Sequence, residues 1–216
     1  MLNPIARASV ALAALVLVAA PARSQPAEAA AERVDRYLSR LATLRAGFQQ
    51  EVLDASGAVR EEAAGSLAVS KPGRFRWDYR TPSEQVLVSD GKTIWLYDVE
   101  LEQVTVRKAD QALSATPASL LSGKGKASES FVVADGGHAD GYEWALLTPR
   151  LEDTDFRQVR LGFRDGALER MDLVDRLGQT TRIRFTDVEL NPALADNLFG
   201  FKPPPGVDVV GSAGSP

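Results

Sequence analysis

The feature that most constrains this fold is a long succession of short strand-like runs with almost no helix between them. From residue 48 onward, apolar and polar side chains alternate with a period of two, as in half-buried strands. Turn residues such as Asp90-Gly91 and Gly136-Gly137 separate the runs, and Asp-Gly between alternating runs is a strong hairpin signal. About ten or eleven such strands predict an antiparallel meander that closes toward a barrel. The rarity of intervening helices argues against a parallel α/β sheet.

Two helical segments accompany this pattern, one before it and one within it. Apolar residues recur at steps of three and four within residues 29–46, which predicts an amphipathic helix packed on the core. Residues 114–121 predict a second, short helix, because Thr116 is a suitable N-cap and Pro117 suits the first turn. A short helix inserted into a meander serves as a plug for an open barrel end or as a lid, and the sequence does not choose between them.

The N-terminal residues have the organisation of a secretory signal peptide. A short basic start precedes an apolar run of about 13 residues, which is shorter than the roughly 20 that a membrane span requires. Small residues then allow cleavage after Ala22 or Ser24. We therefore expect a signal peptide over 1–24, a disordered leader over 25–31, one domain over 32–210 and a disordered tail over 211–216.

Charge and cysteine content narrow the function. Removal of Arg7 and Arg23 with the signal peptide changes the formal net charge from −4 to about −6, so the mature chain lacks the basic face that nucleic acid requires. The chain contains no cysteine, so it forms no disulfide and offers no thiol nucleophile. It also lacks the cysteine through which bacterial lipoproteins are lipid-anchored. We expect an exported protein that is not tethered by lipid.

Reacting groups for an enzyme are scarce. The single histidine, His138, lies in a predicted glycine-rich turn, where a solvated surface residue is far commoner than a catalytic base. The sequence has no Gly-x-Ser-x-Gly elbow, no His-Glu-x-x-His motif and no glycine-rich phosphate loop after a strand. The acidic residues are scattered, and none stands out as half of a hydrolytic pair. We expect a binding protein without catalytic residues, metal site or cofactor.

The best candidate for a binding surface is the segment 71–79. Strand alternation places Phe75, Trp77 and Tyr79 on one face and the charged residues between them on the other. The run Ile94-Trp95-Leu96-Tyr97 is apolar on both sides, so both of its faces must be covered. These aromatic residues either fill an ordinary barrel core or line a cavity for an apolar cargo, and alternation alone does not decide.

A series of short motifs spans residues 48–204. They are Phe48-Gln49-Gln50, Gly65-Ser66-Leu67, residues 71–77, Pro82-Ser83-Glu84-Gln85, residues 88–98, Glu102-Gln103-Val104, Thr116-Pro117, Leu147-Thr148-Pro149, residues 175–180 and residues 199–204. In this order they resemble the periplasmic lipoprotein carrier (LolA) family. The resemblance implies a mainly β (α+β) fold, an unclosed antiparallel β-barrel with a helical lid over an apolar cavity.

The resemblance also implies roles for individual residues. It implies a lipid-binding cavity lined by Phe75, Trp77, Tyr79, Val88 and Trp95. It implies a lid and lid latch formed by Lys71, Pro117, Leu120 and Leu121. Family members commonly carry arginine where this chain has Lys71, and lysine lacks the planar five-donor fork of arginine. We therefore expect a more loosely held lid, or a partial takeover of the latch by Arg74 or Arg76.

As a member of such a family, the chain would be a periplasmic monomer of Gram-negative type. Its cargo would be acylated lipoproteins, received from an ATP-driven exporter in the inner membrane. It would deliver them to an outer-membrane lipoprotein receptor or to the outer membrane itself. Two other interpretations remain: a carrier of the same fold for a glycolipid or lysophospholipid, which needs the same cavity, and an acyl-sensing regulatory domain. An enzyme is the remotest of these classes.

Overall fold

The computed structural model describes residues 26–109, 117–123, 126–151 and 154–211. Its helices are α1 (Pro26–Arg40), α2 (Pro117–Ser122) and α3 (Ala127–Ser130), with a 3-10 turn at Asp196–Phe199. Its strands are β1 (Thr43–Leu53), β2 (Val59–Ser70), β3 (Arg74–Thr81), β4 (Gln85–Asp90), β5 (Thr93–Asp98), β6 (Gln103–Lys108), β7 (Phe131–Ala139), β8 (Tyr142–Pro149), β9 (Phe156–Arg164), β10 (Ala167–Asp175), β11 (Thr180–Leu190) and β12 (Asp208–Gly211).

The twelve strands form one sheet in the order β12-β6-β5-β4-β3-β2-β1-β11-β10-β9-β8-β7. The chain thus builds a first meander, β1 to β6, and a second, β7 to β11, which join where β1 pairs with β11. These pairs are antiparallel, whereas β12 lies parallel to β6. The outermost strands, β12 and β7, do not pair, so the barrel is unclosed. The predicted fold class is confirmed.

The alternating pattern located β1 to β11, but β1 begins at Thr43, five residues before the predicted alternation at residue 48, and one turn was misplaced. Gly136-Gly137, predicted as a turn, lies inside β7, where a register shift between Asp135 and His138 accommodates the extra residues. The chain reverses instead at Asp140-Gly141, where both residues have positive φ. His138 is therefore an exposed strand residue. An irregular strand and a turn share the same glycine signal, because both need unusual backbone angles.

The predicted disordered leader over 25–31 is wrong from residue 26 onward, because α1 begins at Pro26. Proline suits the first helical turn, and Ala30 is fully buried against the barrel. The helix also ends earlier than predicted, at Arg40. Asn191 stops it there: its Nδ2 donates to the Arg40 carbonyl (2.9 Å), and its Oδ1 accepts from Ala42 N (2.8 Å) at the entry to β1. The predicted signal peptide lies outside the described residues.

The other predicted boundaries shift only slightly. The second helix begins at Pro117 and ends at Ser122, while residues 114–116 lie outside the described part. The motif at residues 199–204 finishes the 3-10 turn and continues as extended chain. Gly211, assigned to a disordered tail, is the last residue of β12, and residues 212–216 lie outside the described part.

The inner face of the sheet carries the core. Apolar side chains of both meanders meet there, and the apolar stripe of α1 covers them. The stripe consists of Val34, Tyr37 and Leu38, and Leu41 follows directly after the helix; all four are buried. The helix is fixed at its side by Arg33, whose Nη1 donates to Glu143 Oε2 of β8 at 2.6 Å. Helix α1 therefore packs chiefly on β7 and β8 of the second meander.

The outer face of the first meander is covered by the C-terminal segment. The Phe201 ring lies 6.2 Å from the Trp95 ring and 5.8 Å from the Tyr97 ring, measured between centroids. The Phe199 side chain is 2% exposed, and the Arg74 guanidinium lies 5.3 Å from the centre of its ring. Trp95 and Tyr97 are thus covered on the outer side of β5, and Ile94 is buried on its inner side. Leu96, also on the inner side, is 40% exposed, so the expectation that both sides are covered holds only in part.

On the outer face of the second meander, Asp172 is buried beneath two arginines that reach it only loosely. Arg160 Nη1 lies 3.5 Å from Asp172 Oδ2, and Arg182 Nε lies 3.9 Å from Oδ1. Burial therefore outweighs the arginines and raises the pKa of Asp172. Because the folded protein holds this proton more tightly than the unfolded chain, protonation of Asp172 stabilises the fold. This stabilisation is fully present below the ordinary pKa of aspartate, and it is lost as the pH rises through the raised pKa of the folded protein.

Asp172→Asn, which cannot ionise, should raise the free energy of unfolding at pH 7. The gain should shrink as the pH falls, because the wild-type carboxylate then becomes neutral as well. Urea denaturation followed between pH 7 and pH 4 measures both effects. Asp78→Asn is the control, since Asp78 accepts a 2.9 Å bond from Arg76 Nε and its loss should not stabilise the protein. Destabilisation by Asp172→Asn at pH 7 would contradict this account.

Candidate functional site

Phe75 and Trp77 lie on the inner face of β3, as alternation predicted. They are 0% and 2% exposed, and Tyr79 packs beside them as a partly buried residue. The register with β2 places Val69 opposite Phe75 and Leu67 opposite Trp77, so the neighbouring strand continues the apolar surface. We call this surface the aromatic face.

Two further aromatic residues complete the aromatic face. The Phe48 ring of β1 lies 5.0 Å from the Trp77 ring and 5.1 Å from the Tyr79 ring, between centroids. The Phe185 ring of β11 lies 6.5 Å from Trp77. Phe48 belongs to one of the sequence motifs, so the sequence could have pointed to it. Phe185 could not be found in this way, because only the pairing of β1 with β11, which sets Phe48 opposite Phe185, brings it to this place.

Val88 and Trp95, predicted to line the same cavity, lie on the opposite face. Val88 pairs with Arg76, and Trp95 pairs with Val88. Directly paired residues share a face, so both side chains point away from Phe75 and Trp77. Both are covered from outside, Trp95 by Phe201. The prediction for these two residues is wrong, because their apolar character serves the contact with the C-terminal segment.

The predicted lid helix α2 packs against the core at its C-terminal end. Leu121 is fully buried, and Leu120 is partly buried against the same core cluster. Pro117 is its first residue. The end of α2 is joined to the β2–β3 turn, since Gly73 N donates to the Ser122 carbonyl at 2.8 Å. Gly73 has φ +73°, and this left-handed conformation favours glycine.

Lys71 joins the same turn to α1. Its Nζ donates to the Leu38 carbonyl at 2.7 Å, and partial burial lowers the pKa of Lys71. The two arginines that could share this role are bonded elsewhere. Arg74 donates to Asp196 Oδ1 at 2.7 Å and to Ser70 Oγ at 2.8 Å, and Arg76 donates to Asp78. The β2–β3 turn thus contacts α1 through Lys71 and α2 through Gly73.

The aromatic face also carries polar atoms. Tyr79 Oη donates to Gln50 Oε1 at 3.3 Å. Burial, reinforced by the negative charge of Glu61, raises the pKa of Tyr79 to about 12, so its hydroxyl stays protonated. Trp77 Nε1 is buried and has no hydrogen-bond partner within the described residues. An otherwise apolar surface therefore offers both a hydroxyl and an unpaired N–H group.

The comparison with protein families decides the identity of this arrangement. The family described as outer membrane lipoprotein carrier protein LolA matches residues 39–202. The chain belongs to this family. The match includes the aromatic face, Lys71 and α2, and it confirms the resemblance that the motifs indicated.

Relatives of this LolA-family chain are similar over most of their length. An outer-membrane lipoprotein carrier protein of Dechloromonas aromatica is 45% identical over 182 residues, which is 84% of this chain and 88% of the relative. One from Pseudomonas aeruginosa is 45% identical over 202 residues, which is 92% of this chain and 95% of the relative. An uncharacterized conserved protein from Thermus thermophilus superposes with a TM-score of 0.54 at 14% identity, covering 86% of this chain and 99% of that one. This last likeness shows the fold alone.

The helices described in this LolA-family chain are short, and the longest, α1, has 15 residues. Among the described residues, no helix has the length and apolar content needed to cross a membrane.

Proposed function

We propose that this chain carries the acyl chains of lipoproteins through the periplasm, from the inner membrane to the outer membrane. The observation that carries the proposal is the aromatic face itself, an apolar surface on the inside of an unclosed barrel, with α2 packed on β2 and β3. The names of the relatives, outer-membrane lipoprotein carrier proteins, support the same activity.

The energies are compatible with a cargo that displaces the covering helices. Each buried methylene contributes about 0.8 kcal/mol, so a chain of about 16 carbons is worth roughly 12 kcal/mol of burial. A typical hydrogen bond contributes only about 1 kcal/mol net, and one to a charged group about 1.5–3 kcal/mol. At the β2–β3 turn, α1 and α2 are held by the bonds of Lys71 and Gly73. An acyl chain that takes the place of the buried helical side chains compensates for the burial that they lose, so opening costs mainly these hydrogen bonds, and the helices can return when the acyl chain leaves.

In this mechanism, Pro117, Leu120 and Leu121 belong to the movable lid and Lys71 is its latch. Leu121, fully buried in the closed form, becomes exposed when cargo enters and favours closure when cargo leaves. We further propose that a monomer receives lipoproteins from an ATP-driven exporter of the inner membrane. It then passes them to an outer-membrane receptor or to the outer membrane itself.

The three tryptophans of the chain provide a test of where cargo binds. Trp77 lies on the aromatic face, Trp95 on the outer face beneath Phe201, and Trp144 beside the Arg160 guanidinium, 4.5 Å from its ring centre. A triacylated lipopeptide with brominated acyl chains quenches only nearby tryptophans. We expect it to quench the double variant Trp95→Phe/Trp144→Phe, and to leave Trp77→Phe almost unquenched.

Quenching that survives in Trp77→Phe and disappears in Trp95→Phe would place cargo on the outer face and contradict the proposal. The same titration with a brominated lysophospholipid and a brominated glycolipid separates the alternative carriers. Preference for either of these over the lipopeptide would favour a carrier of another lipid.

A further inference from the structure

We propose that Trp77 and the Tyr79–Gln50 pair form a polar subsite for the carbonyl oxygens of bound acyl groups. Acyl chains are joined to a lipoprotein through ester and amide linkages, and each linkage carries a carbonyl that accepts hydrogen bonds. The inference rests on the proposed function and adds to it the part of the cargo that is recognised besides hydrocarbon.

The indole N–H of Trp77 is the first part of the subsite. The side chain is 2% exposed, yet Nε1 has no hydrogen-bond partner within the described residues. Buried tryptophans usually find an acceptor. Trp144, which is also buried, donates its Nε1 to the Ala139 carbonyl at 3.1 Å. The unpaired donor of Trp77 is therefore a local exception, and it lies on the surface proposed to receive lipid.

The Tyr79–Gln50 pair is the second part. The bond from Tyr79 Oη to Gln50 Oε1, at 3.3 Å, uses the carbonyl side of the glutamine amide and leaves its NH₂ group to donate to a ligand. The Phe48 ring contacts both the Trp77 and Tyr79 rings, so the two side chains belong to one aromatic cluster. Gln50 is the next inner-face residue of β1 after Phe48, because residues two apart share a face.

The subsite also has a direction along β3. Phe75 is fully buried, Trp77 follows it and Tyr79 is only partly buried, so the face becomes more polar toward the end of the strand. Successive residues on one face are roughly 7 Å apart, which separates Phe75 from Tyr79 by about 13 Å. An acyl group whose carbonyl is bound at Trp77 and Gln50 can thus extend its hydrocarbon toward Phe75 and Leu121.

Matched lipopeptides test the subsite, one with acyl ester linkages and one with ether linkages of equal chain length. Wild-type protein should bind the ester form about fivefold more tightly, the size of one net hydrogen bond. Trp77→Phe and Gln50→Leu should each reduce this ratio toward one, while both still bind the ether form. Trp95→Phe is the control on the outer face and should keep the wild-type ratio.

The subsite would be overturned if Trp77→Phe and Gln50→Leu kept the wild-type ratio of ester to ether affinity. Equal binding of both lipopeptides by the wild type would also overturn it, yet would leave the proposed function intact. Failure of the wild type to bind either lipopeptide would instead remove the proposed function. Infrared spectra of ¹³C-labelled ester carbonyls give an independent readout, because the band should shift to lower wavenumber in the wild type and not in Trp77→Phe.

Discussion

Lys71→Leu should bind an acyl probe about tenfold or more tightly than the wild type. The bond from Lys71 Nζ to the Leu38 carbonyl, 2.7 Å long, joins the β2–β3 turn to α1 and exists only while the two are packed together. A hydrogen bond to a charged group contributes about 1.5–3 kcal/mol, and cargo that displaces α1 must break it. Leucine cannot form the bond, so the covered form loses this stabilisation and the open form becomes more populated.

Fluorescence titration with a brominated lipopeptide measures the affinity, and transfer to outer-membrane vesicles measures release. Release from Lys71→Leu should be slower in proportion, since closure drives cargo out. Arg74→Ala is the matched control: Arg74 lies in the same turn region but bonds Asp196 and Ser70, so affinity should not change. If Lys71→Leu and Arg74→Ala bind the lipopeptide equally well, Lys71 has no part in closure.

Lys71→Arg tests the departure from the family pattern. A guanidinium offers five donors in a planar fork and can bond more than one carbonyl at the ends of α1 and α2. We expect the arginine variant to hold the covered form more firmly and to bind the probe more weakly than the wild type. An affinity at or above that of the wild type would count against a latch at this position.

Gly65→Ala should destabilise the protein by about 3 kcal/mol or more, at the upper end of the cost of overpacking. A Cβ at Gly65 would lie 1.9 Å from the Asp78 carbonyl oxygen and 2.9 Å from the Phe48 ring. The first obstacle is backbone of the paired strand β3, so relief requires β2 and β3 to separate. That separation would weaken the sheet next to Trp77 and Tyr79.

Gly47→Ala, on the adjacent strand, is the control for this prediction. Its Cβ would approach Thr186 Oγ1 at 2.5 Å, but the nearest backbone atom is 3.7 Å away. A side chain can rotate where a backbone cannot, so the loss should be clearly smaller. Urea unfolding followed by circular dichroism gives both values. Equal unfolding midpoints for the two variants would show that the β2–β3 backbone yields more easily than its geometry indicates.

The strands and half of the aromatic face could be predicted because their signals are local. Alternation within 74–81 fixes which side chains share a face, and Asp90-Gly91 needs no distant partner to form a turn. The prediction that Val88 and Trp95 line the cavity was wrong for the opposite reason. Which face of their strands lies inside depends on register between strands, and the segment that covers Trp95 lies about a hundred residues further along the chain.

The polar contacts of the site were even less accessible to sequence. The partner of Lys71 is the carbonyl of Leu38, a group that every residue possesses, so no side-chain pattern could indicate it. Gln50 occupies an inner-face position of β1, where alternation predicts an apolar residue. Only its contact with Tyr79, seen in the structure, indicates a role for it. The prediction of a disordered leader was wrong because proline and alanine suit a disordered segment and a first helical turn equally well.

An open barrel must also avoid pairing with its own copies, because exposed strand edges are templates for self-association. One edge here is β12, only four residues long, preceded by three prolines that cannot donate a backbone hydrogen bond. The other edge, β7, is packed by α1 and α3. The helix that Lys71 joins to the β2–β3 turn therefore also covers an edge of the sheet. A carrier whose α1 moves to admit cargo exposes its cavity and this edge at once, so it is most prone to aggregate at the moment when cargo must already be at hand.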